Sequence, residues 1–325
     1  MNVLNVQNLT VRYLLGKKLI HAVEKVTILV KENEFLGVVG ESGSGKSTLA
    51  HAVMRLLPRN AHVLEGTIEL LGREITQMNE EELRKLRWKE FSMVFQRSMS
   101  ALSPVHKIED QISEALLIHN PQMSSNQIRE RLESVLKMVN LPLRVLSCYP
   151  HQLSGGMMQR VMIALALVNL PKFIILDEAT TALDVVTQGQ IIEELKSLIK
   201  ELSLTGMVIS HDLGVVSELC DKIAVMYAGR LVEYGRKDDI IHRPLHPYTK
   251  ALVASLPDHV EKGGKLYSIP GTLPDLSKPI QGCVFAGRCP LVSDECLETT
   301  PPLCDENGRS VACLKVRNEI CNLSR

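Results

Sequence analysis

Apolar and polar positions alternate through LNVQNLTVRYLL and HAVEKVTILV in the first 35 residues, the period-two pattern of half-exposed β-strands. FLGVVG (Phe35–Gly40) is a compact apolar run ending in glycine, which predicts a buried strand. KSTLAHAVMRLL then places apolar residues three and four apart, which predicts a helix. GTIELLGREI predicts two strands joined at a glycine turn. From Glu80 to about Gln159 the pattern is mostly helical, rich in Glu, Gln, Leu and Lys, and broken at Pro104, Pro121, Pro142 and Pro150. FIILDEAT (Phe173–Thr180) predicts another buried strand, IIEELKSLIKEL an amphipathic helix, and GMVISHD one more strand. Strands alternating with helices around a helical insertion predict an α/β core on a parallel sheet, with a helical subdomain. Beyond about Ile240 prolines gather (Pro244, Pro247, Pro257, Pro270, Pro274, Pro279) and the periodicity weakens, so a domain boundary is expected there.

Composition narrows the function classes. A chain of 325 residues is long enough for about two domains and a sizeable core. Lys plus Arg and Asp plus Glu both number 37, so no global charge favours nucleic acid or anionic lipid. The start MNVLNVQNLTVRY has neither a basic n-region nor an apolar h-region, so no secretion signal is expected. The longest apolar run, VMIALALVNL, is too short to span a bilayer. A soluble, cytosolic protein is the expectation.

GESGSGKST (Gly40–Thr48) fits G-x-x-x-x-G-K-[ST] and lies between a predicted strand and a predicted helix, the context the motif requires. Glycines let the backbone curl so that its N–H groups face phosphate oxygens, and the helix N-terminus adds partial positive charge. The residues expected on nucleotide are Gly40, Ser42, Gly43, Ser44, Gly45, Lys46, Ser47 and Thr48. Lys46 is suited to the β- and γ-phosphates and the Ser47 hydroxyl to Mg²⁺. FIILDE closes a strand with two carboxylates: Asp177 suits Mg²⁺, and Glu178 is placed to polarise an attacking water. A pair of acids at a strand end often does no more than start a turn; following a phosphate loop it reads as catalytic. His211 follows another strand, at the sheet edge where ligands of open α/β sheets collect, and a γ-phosphate contact is preferred to a structural role.

LSGGMMQRV (Leu153–Val161) opens a helix with Ser154 as candidate N-cap and Gly155–Gly156 leaving backbone exposed. With this second anion-binding helix start, residues 1 to about 240 resemble the ATP-binding subunit of an ABC transporter. The resemblance implies a RecA-like P-loop NTPase core with an antiparallel β-subdomain and a helical signature subdomain at about 97–157. It makes Tyr13 the adenine-stacking aromatic and Gln96 the residue linking Mg²⁺ and water to the membrane partner. Ser154, Gly155 and Gly156 become the signature contacts, ALD (Ala182–Asp184) the dimer loop and His211 the switch histidine. Lys46, Gln96, Glu178 and His211 are the expected catalytic set. Two subunits are expected to close head to tail over two ATP molecules, the phosphate loop of one facing the signature of the other. Met157 stands where many relatives have Gln, and Met158 where the peptide branch suggests Arg; neither removes the Ser or Gly contacts.

RPLHPYTKALVASLP (Arg243–Pro257), QRSMSALSPV (Gln96–Val105), GCVFAGRCP, PPL and VAC resemble the dipeptide, oligopeptide and nickel importer branch, whose C-terminal extension would occupy 241–325. His246 reads as a packed loop residue in preference to a ligand. Six of the eight cysteines fall in the last 43 residues. A reducing compartment disfavours disulfides, and C-x5-C-x6-C-x16-C lacks the short knuckle of structural zinc sites. The resemblance implies a [4Fe–4S] cluster on Cys283, Cys289, Cys296 and Cys313, with zinc as second choice; Cys304 is an alternative to Cys313, and Cys321 is spare. The expected protein is an ATPase at the cytoplasmic face of the membrane. It would drive import of peptides, nickel or related solutes through two permease subunits. A second ATPase subunit, a paralogue in preference to an identical copy, and an extracytoplasmic binding protein complete the system, and no nucleic acid is involved. The alternatives are a soluble ABC-type ATPase of DNA repair or translation, or an ATP-binding regulatory subunit.

Overall fold

The computed structural model describes residues 1–95, 101–180, 183–256, 269–306 and 308–316, so Gln96, Ala182 and Cys321 lie outside the described residues. The chain forms two compact units, Met1–Thr76 with Val208–Arg325, and Gln77–Met207. The first unit begins with β1 (Asn2–Leu15) and β2 (Lys18–Lys31), an antiparallel hairpin whose alternating apolar residues, among them Leu4, Val6, Leu9 and Val11, are fully buried. After β3 (Phe35–Val39) and α1 (Lys46–Val53), β4 (Ala61–Leu70) pairs antiparallel with β1 and β5 (Arg73–Glu74) with β4. This antiparallel sheet is the first part of the expected β-subdomain pattern.

The second unit adds a strand to the mostly helical stretch expected from Glu80 to about Gln159. Within it lies a strand, β6 (Phe91–Val94), between α2 (Glu80–Leu86) and α3 (Ile108–Leu117). Its four residues are all buried, and it runs parallel to β7 (Phe173–Asp177) with Phe91 opposite Phe173 and Val94 opposite Leu176. A four-residue apolar run carries no period of its own, so only its partner reveals it as a strand. α4 (Ser125–Met138) and α5 (Gly155–Leu167) pack with α3, the breaks falling near the prolines. Arg131 ends α5: its Nε and Nη2 donate to the Val168 and Leu167 carbonyls at 2.6 and 3.0 Å, supplying partners that the last turn of a helix lacks. α6 (Val185–Glu201) follows, capped by Asp184.

β8 (Thr205–Ser210) leads back to the first unit. There α7 (Leu213–Leu219) is followed by the hairpin of β9 (Lys222–Tyr227) and β10 (Arg230–Arg236), and β9 runs parallel to β3. The proline-rich end, where periodicity fades, still forms α8 (Lys237–His242), α9 (Pro247–Ala254) and α10 (Asp294–Glu298). Two three-residue strands, β11 (Cys304–Glu306) and β12 (Arg309–Val311), then pair with each other, and β12 pairs with β10. The order β11-β12-β10-β9-β3 makes the cysteine-bearing end an extension of the same mixed sheet that carries β3. Fully buried Glu233 on β10 anchors it, accepting from the Leu245 and His246 amides at 3.0 and 2.9 Å and from Arg309 at 2.8 Å.

Candidate functional site

Every residue of β3 is buried, and the strand delivers the chain to Gly40, where the phosphate-loop motif begins. The loop closes on itself through Ser44 N–H to the Glu41 carbonyl, 3.1 Å, and is tied to the β9–β10 turn by Gly229 N–H to the Ser44 carbonyl, 3.0 Å. Gly45 has φ +100°, and a Cβ there would stand 2.3 Å from the Ala22 carbonyl oxygen, so only glycine fits. It is the N-cap of α1, and no side chain caps that helix start. Lys46 is 5% exposed, and its ammonium donates to the carbonyls of Gly40 and Glu41 at 2.7 and 2.9 Å. Ser44 is fully buried with no hydrogen-bond partner for its hydroxyl, an orphan polar group of the kind a ligand can satisfy. Ser42 and Gly43 are exposed, Ser47 and Thr48 half-buried. The half-buried Tyr13 reaches this end of α1, its hydroxyl 3.3 Å from Thr48 Oγ1. His211 is exposed directly after β8, beside Asp212, which caps α7 through the Gly214 amide at 2.8 Å.

In the second unit Asp177 ends β7 at 2% exposure. Glu178 follows with φ +47°, a left-handed conformation costing a non-glycine residue about 1 kcal/mol, and is half-buried. Ser154 caps α5 as expected, its Oγ accepting from the Met157 amide at 3.3 Å. Gly155 is half-buried and Gly156 buried. A Cβ at Gly156 would lie 2.7 Å from Thr187 Cγ2. Thr187 is itself held by Asp184, which accepts its amide at 3.0 Å and its hydroxyl at 2.7 Å; these bonds, the hydroxyl's first, hold the Asp184 carboxyl below its usual pKa. Arg160 and Glu194 add a two-pronged pair at 2.7 and 2.8 Å between α5 and α6. The expected role of Gln96 and the Ala182 end of the ALD loop fall outside the described residues.

The cysteine loop is ordered by its backbone: Cys283 N–H donates to the Cys296 carbonyl at 2.8 Å and Cys289 N–H to the Ala286 carbonyl at 3.2 Å. Cys283 and Cys296 pack with Ala286 and Leu314, and Cys313 packs with Val311 and Val316. Burial pushes the Cys283 thiol up, and Cys296, Cys313 and Cys289 push it further; burial also raises Cys289, with Cys313 and Cys296 adding to it. These four sulfurs are therefore electrostatic neighbours, and none is in a disulfide. The Cys289 sulfur also accepts from the Leu291 amide at 3.4 Å. Among the described residues no three His, Cys, Asp or Glu side chains are disposed to hold a metal ion, so the four thiols are gathered without being closed into a ligand shell. His246 is the packed residue expected: 1% exposed, it caps α9 by accepting the Tyr248 amide at 3.0 Å, and burial lowers its pKa to about 3. Glu41, Tyr248 and Arg288 sit in GESGSGKST, RPLHPYTKALVASLP and GCVFAGRCP, where the sequence assigns them no role; they lie far apart in the chain and meet beside the phosphate loop, where Arg288 Nη1 donates to Glu41 Oε2 at 2.9 Å.

Comparison with known proteins matches residues 23–181 to the family described as ABC transporter, and residues 232–296 to the family described as oligopeptide/dipeptide transporter, C-terminal region. A probable peptide ABC transporter ATP-binding protein of Sinorhizobium fredii, y4tR, is 42% identical over 325 residues, covering 98% of this chain and 96% of that protein. The dipeptide transport ATP-binding protein DppD of Caldanaerobacter subterraneus subsp. tengcongensis is 41% identical, covering 96% of each. The oligopeptide transport ATP-binding protein OppF of Escherichia coli is 41% identical, covering 92% of this chain and 89% of that protein. Among solved structures, the dimer of the bacterial ABC transporter cassette MJ0796 is similar with a TM-score of 0.66 and 31% identity, over 72% of this chain and 99% of that chain.

Proposed function

This chain belongs to the ABC transporter ATP-binding family, in its oligopeptide/dipeptide importer branch, and from that membership we infer how its residues work. It is an ATPase subunit that energises peptide import through a separate permease. The observation that carries the residue-level reading is the phosphate loop, with the buried Lys46 ammonium held across it by two carbonyls. In this reading Gly40, Ser42, Gly43, Ser44, Gly45, Lys46, Ser47 and Thr48 receive the ATP phosphates, Lys46 through its ammonium, and Tyr13 stacks on adenine. Most of the catalysis is then positioning and charge stabilisation. Ser47, Asp177 and Gln96 would hold Mg²⁺, which neutralises charge on the phosphates; the near-complete burial of Asp177 at a strand tip suits a carboxylate paired with a cation. Glu178 orients the attacking water, and His211 contacts the γ-phosphate. Ser154, Gly155 and Gly156 bind the γ-phosphate of the ATP on a partner subunit.

The partner ATPase in this reading is a paralogue, the pair is seated on two permease subunits at the cytoplasmic membrane face, and a binding protein delivers cargo from outside. Among the described residues no helix is long and apolar enough to cross a membrane. The ATPase domain is placed at 1–240, with its helical part at about 97–157, and the extension at 241–325. Within the extension Cys283, Cys289, Cys296 and Cys313 would hold a [4Fe–4S] staple, or else zinc, once drawn together from the gathered but unclosed arrangement. Thiol chemistry and the mutual influence of these four support the set; Cys304 stays the alternative to Cys313. Protein purified without oxygen should contain about four irons and four sulfides per chain; zinc alone selects the second choice, and neither metal removes the site.

Glu178→Gln tests the catalytic assignment. It should bind ATP as the natural chain does and hydrolyse it roughly 100-fold or more slowly, the usual weight of a general base. Single-turnover hydrolysis is the measurement, and undiminished turnover overturns the role of Glu178.

A further inference from the structure

We propose that Arg288, from the C-terminal extension, is a positioning residue for ATP, acting with Tyr248 through Glu41 of the phosphate loop. The proposal rests on reading Gly40–Thr48 as the ATP site, and assigns part of that site to the extension.

Glu41 is held at three points. Its backbone N–H donates to the Tyr248 hydroxyl at 2.9 Å, its carboxylate Oε2 accepts from Arg288 Nη1 at 2.9 Å, and its carbonyl accepts from Lys46 Nζ at 2.9 Å. Two of these contacts come from the extension and the third from the phosphate-binding lysine, which shares the Glu41 carbonyl with the Ser44 amide at 3.1 Å. A shift of Glu41 therefore moves a carbonyl that places the Lys46 ammonium. Tyr248 is fully buried, and the Arg288 side chain is 6% exposed against 29% for Glu41, so the tyrosine contact is closed to water and the ion pair is partly shielded. A charge-assisted pair shielded in this way is stronger and more directional than a surface ion pair.

Arg288 uses its remaining donors to hold the chain that lies over the loop. Nε donates to the Pro270 carbonyl at 2.7 Å, Nη2 to the Ile269 carbonyl at 3.1 Å, and Nη1 also to the Tyr227 hydroxyl at 3.2 Å. Three residues beyond Pro270, Leu273 Cδ1 stands 3.4 Å from where a Cβ on Gly43 would be, and His21 N–H ties down the Leu276 carbonyl at 2.9 Å. Phe285 packs on Tyr227 and Tyr248 with ring centroids 5.1 and 5.4 Å apart, fixing the rings on which Arg288 and Glu41 depend. The guanidinium thus joins the phosphate loop, the covering segment and the aromatic cluster. Lysine, with one point of charge, cannot reproduce that set of bonds.

The test measures ATP affinity, KM and kcat on the full chain for Arg288→Met, Arg288→Lys, Glu41→Gln and the double variant Glu41→Gln/Arg288→Met. Arg288→Met and Glu41→Gln should each weaken ATP binding by about tenfold, the scale of one charge-assisted contact. KM should rise in step with less change in kcat, Arg288→Lys should recover part of the loss, and the double variant should be no worse than the poorer single one. Affinities within about twofold of the natural chain, or losses that multiply in the double variant, overturn the proposal. Glu41→Gln leaves the other bonds of Arg288 in place, so the test stands even where Arg288→Met fails to fold. Lys46→Ala separates the two readings. If it abolishes ATP binding while the Arg288 and Glu41 variants bind normally, this proposal alone fails; if the natural chain binds no ATP, the ATP site itself fails.

Discussion

The Lys46 ammonium must stay charged at 5% exposure, and the carbonyls of Gly40 and Glu41 make this possible at 2.7 and 2.9 Å. His246 solves the opposite problem by staying neutral. Burial lowers its pKa from 6.5 to about 3, so below pH 6.5 the unfolded chain takes up a proton that the folded chain refuses. Its contribution to stability is complete above pH 6.5 and is lost as the pH falls toward 3, by about 2 kcal/mol at pH 5. His246→Asn keeps an acceptor for the Tyr248 amide and should lose this part of the acid sensitivity. Urea unfolding at pH 5 and pH 7 measures it, and parallel pH dependence in the two proteins contradicts the assignment. At this scale the sequence offers candidates where a motif is local. Lys46, Ser47, Asp177 and Ser154 are singled out by their neighbours in the chain, whereas Arg288, although inside GCVFAGRCP, meets Glu41 across 247 residues, and no local pattern announces that pair.

Among the elements, the starts of α5 and α6 carry the sharpest constraint. Alanine at Gly156 gains about 0.5–1 kcal/mol of helix propensity, but its Cβ would meet Thr187 Cγ2 at 2.7 Å. Thr187 cannot simply rotate away, because both its amide and its hydroxyl are bonded to Asp184. Overpacking of this kind costs about 1–3 kcal/mol, so the clash outweighs the propensity and Gly156→Ala should be net destabilising. Thr187→Ser removes the methyl and keeps the hydroxyl, so in that background Gly156→Ala should become neutral or stabilising. Denaturant unfolding of the four proteins reads the reversal; the same loss in both backgrounds contradicts it. Long elements were legible in the sequence because burial repeats along them, as in β1, β2 and α6. β6, β11 and β12 were not, since three or four residues hold no period and their pairing partners lie elsewhere in the chain.

For the molecule as a whole, the change of composition near Ile240 is genuine, yet the residues beyond it add β11 and β12 to the sheet that carries β3 and the phosphate loop. Sequence pattern reports where periodicity stops, and only pairing reports where the chain returns. As an ATP-binding subunit of the peptide-importer branch, the chain energises peptide import through a separate permease. The most direct test is ATP-driven uptake of a labelled dipeptide or oligopeptide by vesicles in which this chain is assembled with its permease, partner ATPase and binding protein. Uptake should require ATP and should collapse with Glu178→Gln, although ATP remains bound. Uptake that proceeds equally without ATP, or that the Glu178→Gln chain supports in full, contradicts the account.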